Sequence, residues 1–252
     1  MIDPGPDRPE PPDSRAPVQA PWLAPRIVAL LEVILCSDYP TQAALTATLN
    51  ALGYTAYDSG ELRVGFVVAL SLVDTVLLLA LIVFFLVAHG ERPGDVFFGR
   101  RPIRGEITLG LPLILVALGG GIAILAAIQL LAPSLHTVTH NPLQDLVQRP
   151  RDAWLFAVVV VVAGGVREEL QRAFLLHRFD QWLGGPAVGV VVASMAFGAG
   201  HLLQGVDAAI TTGLLGAFWG VVYLRRQSAV APIVSHSGFN LVQIMQFLLI
   251  GR

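Results

Sequence analysis

Apolar residues in this chain come in long, nearly unbroken runs, and the polar residues that interrupt them mark out its elements. The runs at 64–87 and 107–131 are long enough, at about 1.5 Å rise per residue, to cross a hydrocarbon core of about 30 Å. They predict two full transmembrane helices. A third predicted helix starts near Trp154 and is apolar through Val166. It then meets Arg167, Glu168, Glu169 and Arg172, while helix-forming residues continue to Leu183. Runs at 188–203, 208–224 and 230–250 complete a set of about six spans, punctuated by Gly184-Gly185-Pro186, Gly205 and Arg225-Arg226. Upstream, 22–35 is apolar but too short to span. Asp38, Tyr39 and Pro40 break it before a second helical stretch at 41–52, and both pieces read as short interfacial or re-entrant helices. Residues 1–21 are crowded with proline, aspartate and arginine and hold no apolar run, so they read as a disordered tail. The predicted fold class is all-α: a polytopic transmembrane helix bundle forming one domain, 22–252.

Composition supports the bilayer as solvent. Of 252 residues, 54% are hydrophobic and 13% charged, a balance that a soluble globule could keep only by exposing large apolar patches. The net charge of -2 gives no bias toward nucleic acid. The single cysteine, Cys36, excludes an intramolecular disulfide and a thiolate metal cluster. The segments 89–106, 167–185 and 225–228 hold four, three and two arginines, against Arg149 and Arg151 in the intervening loops. The arginine-rich side is therefore expected to be cytoplasmic. Arg8, Arg15, Arg26 and Arg63 oppose this unless the 22–52 helices cross the membrane or return the tail.

Charges inside a span cost a few kcal/mol each, so Glu168, Glu169 and Arg172 should face the bundle interior or a wet cleft rather than lipid. On a regular helix Glu168 and Arg172 share a face and can pair, which leaves Glu169, about 100° around, free for general-base work on water. A plain helix end emerging at the interface is the bland alternative. Two later spans each bring a histidine, as Phe197-Gly198-Ala199-Gly200-His201 and as His236-Ser237-Gly238-Phe239-Asn240. His236 and Asn240, four apart, form a polar stripe that packing alone does not explain. Gly198, Gly200 and Gly238 allow close helix approach. His89, His136, His140 and His177 sit in loops or beside arginines and receive no role. There is no H-E-x-x-H, no G-x-S-x-G around Ser235 or Ser237, and no phosphate-binding glycine loop. Zincin, serine hydrolase and nucleotide-binding readings therefore lack support.

A glutamate pair with a nearby arginine, then Phe-x-x-x-His, then His-x-x-x-Asn, each in its own span, resembles the CPBP family of intramembrane proteases (CAAX protease and bacteriocin-processing, or Abi). The resemblance covers about 150–245. It implies Glu168 as the base that activates water with His201, His236 and Asn240 as oxyanion donors, Glu169 as the second catalytic carboxylate, and Arg172 and Phe197 in support. It also implies a polypeptide substrate at or in the bilayer, a cell-membrane location and a site open to the cytoplasmic side. No cofactor is required, although Glu168, His201 and His236 could hold a divalent metal such as zinc. One departure stands out. The family reads Glu-Glu-x-x-x-Arg, whereas this chain reads Glu168-Glu169-Leu170-Gln171-Arg172, one residue short, so the local helix must be adjusted if a glutamate is to face the histidines. An ion- or proton-coupled transporter and a non-catalytic membrane scaffold are the competing functions.

Overall fold

The computed structural model describes residues 23–58, 61–139 and 150–250; the predicted tail, His140 and Arg149 lie outside them. It is a helix bundle, as the apolar runs predict. The helices are α1 (Leu23–Leu35), α2 (Tyr39–Ala51), α3 (Val64–Ala88), α4 (Pro93–Phe97), α5 (Ile103–Leu131), α6 (Pro150–Val161), α7 (Glu168–Trp182), α8 (Pro186–Ala199), α9 (Val206–Arg226) and α10 (Val230–Ile250). A two-residue antiparallel ladder, Tyr57–Asp58 with Glu61–Leu62, leads into α3. Among the described residues, α3, α5 and α9 are each long and apolar enough to cross a membrane, and α1 with α2, bent by 45°, qualifies as a pair. Their outward faces carry the apolar surface a bilayer would cover, with Val76 67%, Leu115 72% and Ile122 70% exposed.

Three boundaries differ from the sequence reading, each for a local reason. Helix α5 starts at Ile103, because the carboxylate of Glu106, 1% exposed, is paired with Arg226 at 2.6 Å and so can sit in a packed first turn. Helix α8 ends at Ala199 and is about 21 Å long at 1.5 Å per residue. His201 therefore lies beyond it, in the turn before the short 3-10 helix Leu202–Gln204. The expected continuous helix from Trp154 to Leu183 runs without a break from Pro150 to Trp182, but it widens into a π turn, Val162–Arg167, between α6 and α7.

Helix α7 is the centre of the bundle. Ala173, Phe174 and Leu176 pack with Leu78, Ile82 and Leu86 of α3 and with Cys36 after α1. Arg167, Arg172 and Arg178 are interior residues at 5%, 5% and 2% exposure. They do not belong to a cytoplasmic loop, in contrast to the expectation from the arginine pattern. Their charges are met inside the protein: Arg178 Nε lies 2.5 Å from Glu32 of α1 and its Nη1 2.6 Å from Glu91. Helix α4 ties the loop after α3 to the far helices, since Val96 O accepts from Tyr223 Oη at 2.9 Å and Phe97 O from Ala229 N at 2.8 Å.

Helix α10 packs closely against α5, α6, α9 and the π turn. The tightest approach is at Gly165, where an added methyl carbon would lie 1.9 Å from Ser237 Oγ and 3.2 Å from the Ser237 Cα. Gly165→Ala should therefore push α10 away and cost about 1–3 kcal/mol. Thermal melting in detergent checks this, with Gly119→Ala, where a methyl meets nothing within 4 Å, as the control. Equal melting of the two variants would show the approach to be loose. At Gly198, one of the glycines expected to allow close packing, a methyl carbon would sit 2.7 Å from Ala209 O of α9.

Candidate active site

The polar residues of α7 and α10 meet at the start of α7. A π turn carries one more residue per hydrogen-bonded turn than an α-helix, so it rotates the helix beyond it. Both glutamates consequently face His236. Glu169 is the inner one, 1% exposed. Its Oε1 accepts from Arg172 Nη1 and lies 2.8 Å from His236 Nδ1. The expected pairing of Glu168 with Arg172 is thus replaced by Glu169 with Arg172, three residues apart. On a regular helix residues three and four apart are both within reach, and α7 forms the closer pair.

Glu168 is the outer glutamate, its side chain 16% exposed. Its Oε2 lies 3.9 Å from His236 Nε2 and its Oε1 3.3 Å from Arg167 Nη2. His236 is held flat against Trp219, with ring centroids 3.8 Å apart and planes 16° from parallel. Trp219 is itself fixed by Nε1 donating to Ser235 Oγ at 3.1 Å. Phe197 closes the group: Arg172 lies over its ring at 4.8 Å, and it meets His201 and His236 edge-on at 4.8 and 6.0 Å.

Glu168 opens onto a cavity of about 240 Å³, lined also by Asp38, Tyr39, Arg167, Phe197 and His201. His201 Nδ1 is 2.8 Å from Phe197 O, which fixes the ring and leaves Nε2 for other partners. Asn240 is one turn from His236, and its Nδ2 donates to Val160 O at 3.3 Å; an amide nitrogen has a second proton to give. Among the described residues, no three His, Cys, Asp or Glu side chains come together in a way that could hold a metal ion, so Glu168, His201 and His236 are not gathered as a ligand trio.

Several residues at the site escape the sequence reading. Asp38 reads there only as an interruption, yet the turn between α1 and α2 carries it to Arg167. Asp74 also pairs with Arg167, at 3.0 Å, from the middle of α3. It is a lone charge within a predicted span, so the reasoning that picks out Glu168 could have found it. Tyr39 Oη donates to Ala196 O at 2.7 Å and joins α2 to α8 across the cavity rim.

The arrangement offers a semi-buried carboxylate facing a cavity, an imidazole 3.9 Å from it, and the Glu169–Arg172 ion pair beside it, with Arg172 also lining the cavity. Residues 150–242 match the family model described as type II CAAX prenyl endopeptidase Rce1-like. No curated protein and no solved structure matches the chain. The matched segment spans α6, the π turn and α7 through most of α10, and so contains both glutamates, both histidines and Asn240. By that match, residues 150–242 are an Rce1-like domain of the CPBP family, set within an integral membrane helix bundle.

Proposed function

We propose that the chain is an intramembrane endopeptidase that cleaves a membrane-associated protein or peptide, with Glu168 as the base that activates water. The observation that carries this reading is the division of labour in the glutamate pair. Glu169 is occupied by Arg172 and His236, while Glu168 alone of the two lines the cavity. A cavity of about 240 Å³ admits water and a stretch of extended backbone. Glu168 takes a proton from water, the hydroxide attacks the peptide carbonyl, and the carbonyl oxygen becomes an oxyanion. In this reading His236, whose Nε2 lies 3.9 Å from Glu168, stabilises the oxyanion as an imidazolium, since its Nδ1 is already engaged with Glu169, and the second amide proton of Asn240 is the neutral donor beside it. The proton then passes from Glu168 to the leaving amine as the tetrahedral intermediate collapses. No step runs through a metal.

The substrate class is a polypeptide segment or end at the membrane, of which prenylated CAAX ends are one member. A cell-membrane location with the site open to the cytoplasm is consistent with the charge pattern. Arg92, Arg100, Arg101, Arg104, Arg225 and Arg226 belong to one end of the bundle, where Arg101 Nε donates to Arg226 O at 3.0 Å. A 45° bend keeps α2 running onward from α1, so the pair reads as one broken span that sets Arg26 at that same end.

The test compares membranes expressing wild type, Glu168→Gln and His236→Ala at matched protein levels and looks for new peptide termini. A terminus present in wild type and missing from both variants is expected. If folded protein yields no difference across several hosts, the transporter or scaffold reading replaces this one.

A further inference from the structure

We infer that Arg167, clamped by Asp38 and Asp74, is the positioning residue for Glu168, and that the break between α1 and α2 serves to deliver Asp38 to that clamp. The inference rests on the reading of Glu168 as the base and adds residues that the glutamate, histidine and asparagine motifs do not include.

A glutamate side chain has several rotatable bonds and needs an anchor if its carboxylate is to be held in one place. Glu168 projects into a cavity, and Arg172, which the motif would offer as its anchor, is bound to Glu169 instead. Arg167 takes over that task. Its Nη2 reaches Glu168 Oε1 at 3.3 Å, which leaves Oε2 turned toward His236. A guanidinium is a rigid planar fork, so fixing one of its nitrogens fixes where the others point. Here Nη1 is fixed twice, by Asp38 and by Asp74 at 3.0 Å, from two different parts of the chain. Adjacent residues on a helix diverge by about 100°, so a contact between 167 and 168 is not automatic; it depends on where the clamp holds Arg167.

The backbone at Asp38 points the same way. It has φ 80, in the left-handed region that favours glycine. A non-glycine residue held there is a strained position maintained by its surroundings, and such positions gather at functional sites. The surroundings are visible: Gln42 Nε2 donates to Asp38 Oδ2 at 2.7 Å, and Thr41 Oγ1 donates to Asp38 O at 3.0 Å. Glycine would suit this backbone better. The carboxylate is what glycine lacks.

The experiment uses the full chain in liposomes with a peptide spanning the cleavage site found by the terminus comparison. Variants are Arg167→Gln, Arg167→Lys, Asp38→Gly and Glu168→Gln, and the readouts are kcat, KM and melting temperature. Arg167→Gln should lower kcat about 100-fold with KM within about threefold, the size expected for a reacting group misplaced by about 1 Å. Arg167→Lys should recover about tenfold of that loss. Asp38→Gly removes the strain and the carboxylate together, so it should melt no lower than wild type and still lose about tenfold in kcat. A folded Asp38→Gly with wild-type kcat overturns the inference even if Arg167→Gln does not fold, and so does a folded Arg167→Gln with wild-type kcat. An active Glu168→Gln removes the base reading itself, and this inference with it.

Discussion

Glu168→Gln should leave the bundle as stable as wild type and lower the cleavage rate by about a thousandfold, the middle of the range for loss of a general base. Glu169→Gln should do the reverse in kind: it should lower the melting temperature first, with activity falling because the site comes apart. The difference follows from burial and partners. Glu168 faces the cavity and shares Arg167 with two aspartates, so a neutral amide there strands no charge. Glu169 is the sole carboxylate paired with Arg172 among the described residues, and both side chains are at or below 5% exposure. Removing one partner of such a pair costs up to about 3–5 kcal/mol, because the other is left charged and largely buried. The rings of Phe197 and Trp219, at 4.8 and 5.9 Å from the guanidinium, offset only part of that. Melting curves and kcat measured side by side decide the matter. If Glu169→Gln is stable and inactive while Glu168→Gln keeps its rate, the two glutamates have exchanged roles.

Arg178→Met should be the most damaging substitution away from the site. Arg178 is 2% exposed, and Glu32, which it meets at 2.5 Å, is 3% exposed. Glu32 also lies 2.6 Å from His89, and Glu91 receives Arg178, His177 and Gln181 at 2.6–2.7 Å. Burial raises the Glu91 carboxyl, but the hydrogen bonds from Gln181, Arg178 and His177 and the charge of Arg178 outweigh it, so its pKa lies below the ordinary value. Stability from a lowered carboxylate is fully present above its unfolded pKa, about 4.3, and is lost only as pH falls through the folded value, so Glu91 contributes in full at neutral pH. Methionine at 178 leaves Glu32 buried without its guanidinium, at about 3–5 kcal/mol. Hydrogen exchange should quicken across α1 before the rest of the bundle. Adding Glu32→Gln to Arg178→Met should restore most of the loss, since the pair is then removed as a unit. A double variant no more stable than the single one would show that α1 is held chiefly by its apolar contacts.

Much of the bundle is legible in the sequence because its information is one-dimensional. Apolar runs fix α3, α5, α9 and α10, and charges set within such runs single out Glu168, Glu169 and Arg172 before any fold is known. The partner of Arg172 is not legible. Glu168 four residues back and Glu169 three residues back are both within reach on a regular helix, and it is Glu169 that also meets His236 of α10, a contact that no local spacing encodes. Asp38 is hidden for a similar reason: a polar break between two short apolar helices looks the same from sequence whether it meets headgroups or an interior arginine. Arg167, Arg172 and Arg178 count with the surface in the sequence because charge-bias rules presume that basic residues avoid the interior, and here six carboxylates, of Glu32, Asp38, Asp74, Glu91, Glu168 and Glu169, draw them inward.

The wide turn also changes how this chain compares, position by position, with relatives that read Glu-Glu-x-x-x-Arg. The chain is one residue short of that pattern between Glu169 and Arg172, and the six residues just before the glutamates, Val162–Arg167, form the π turn. An ungapped comparison would set Arg167 under the first glutamate and score a lost base. A comparison that opens a gap between Glu169 and Arg172 keeps the glutamates under their counterparts, and similar shifted pairs are best sought in space before being written off in sequence.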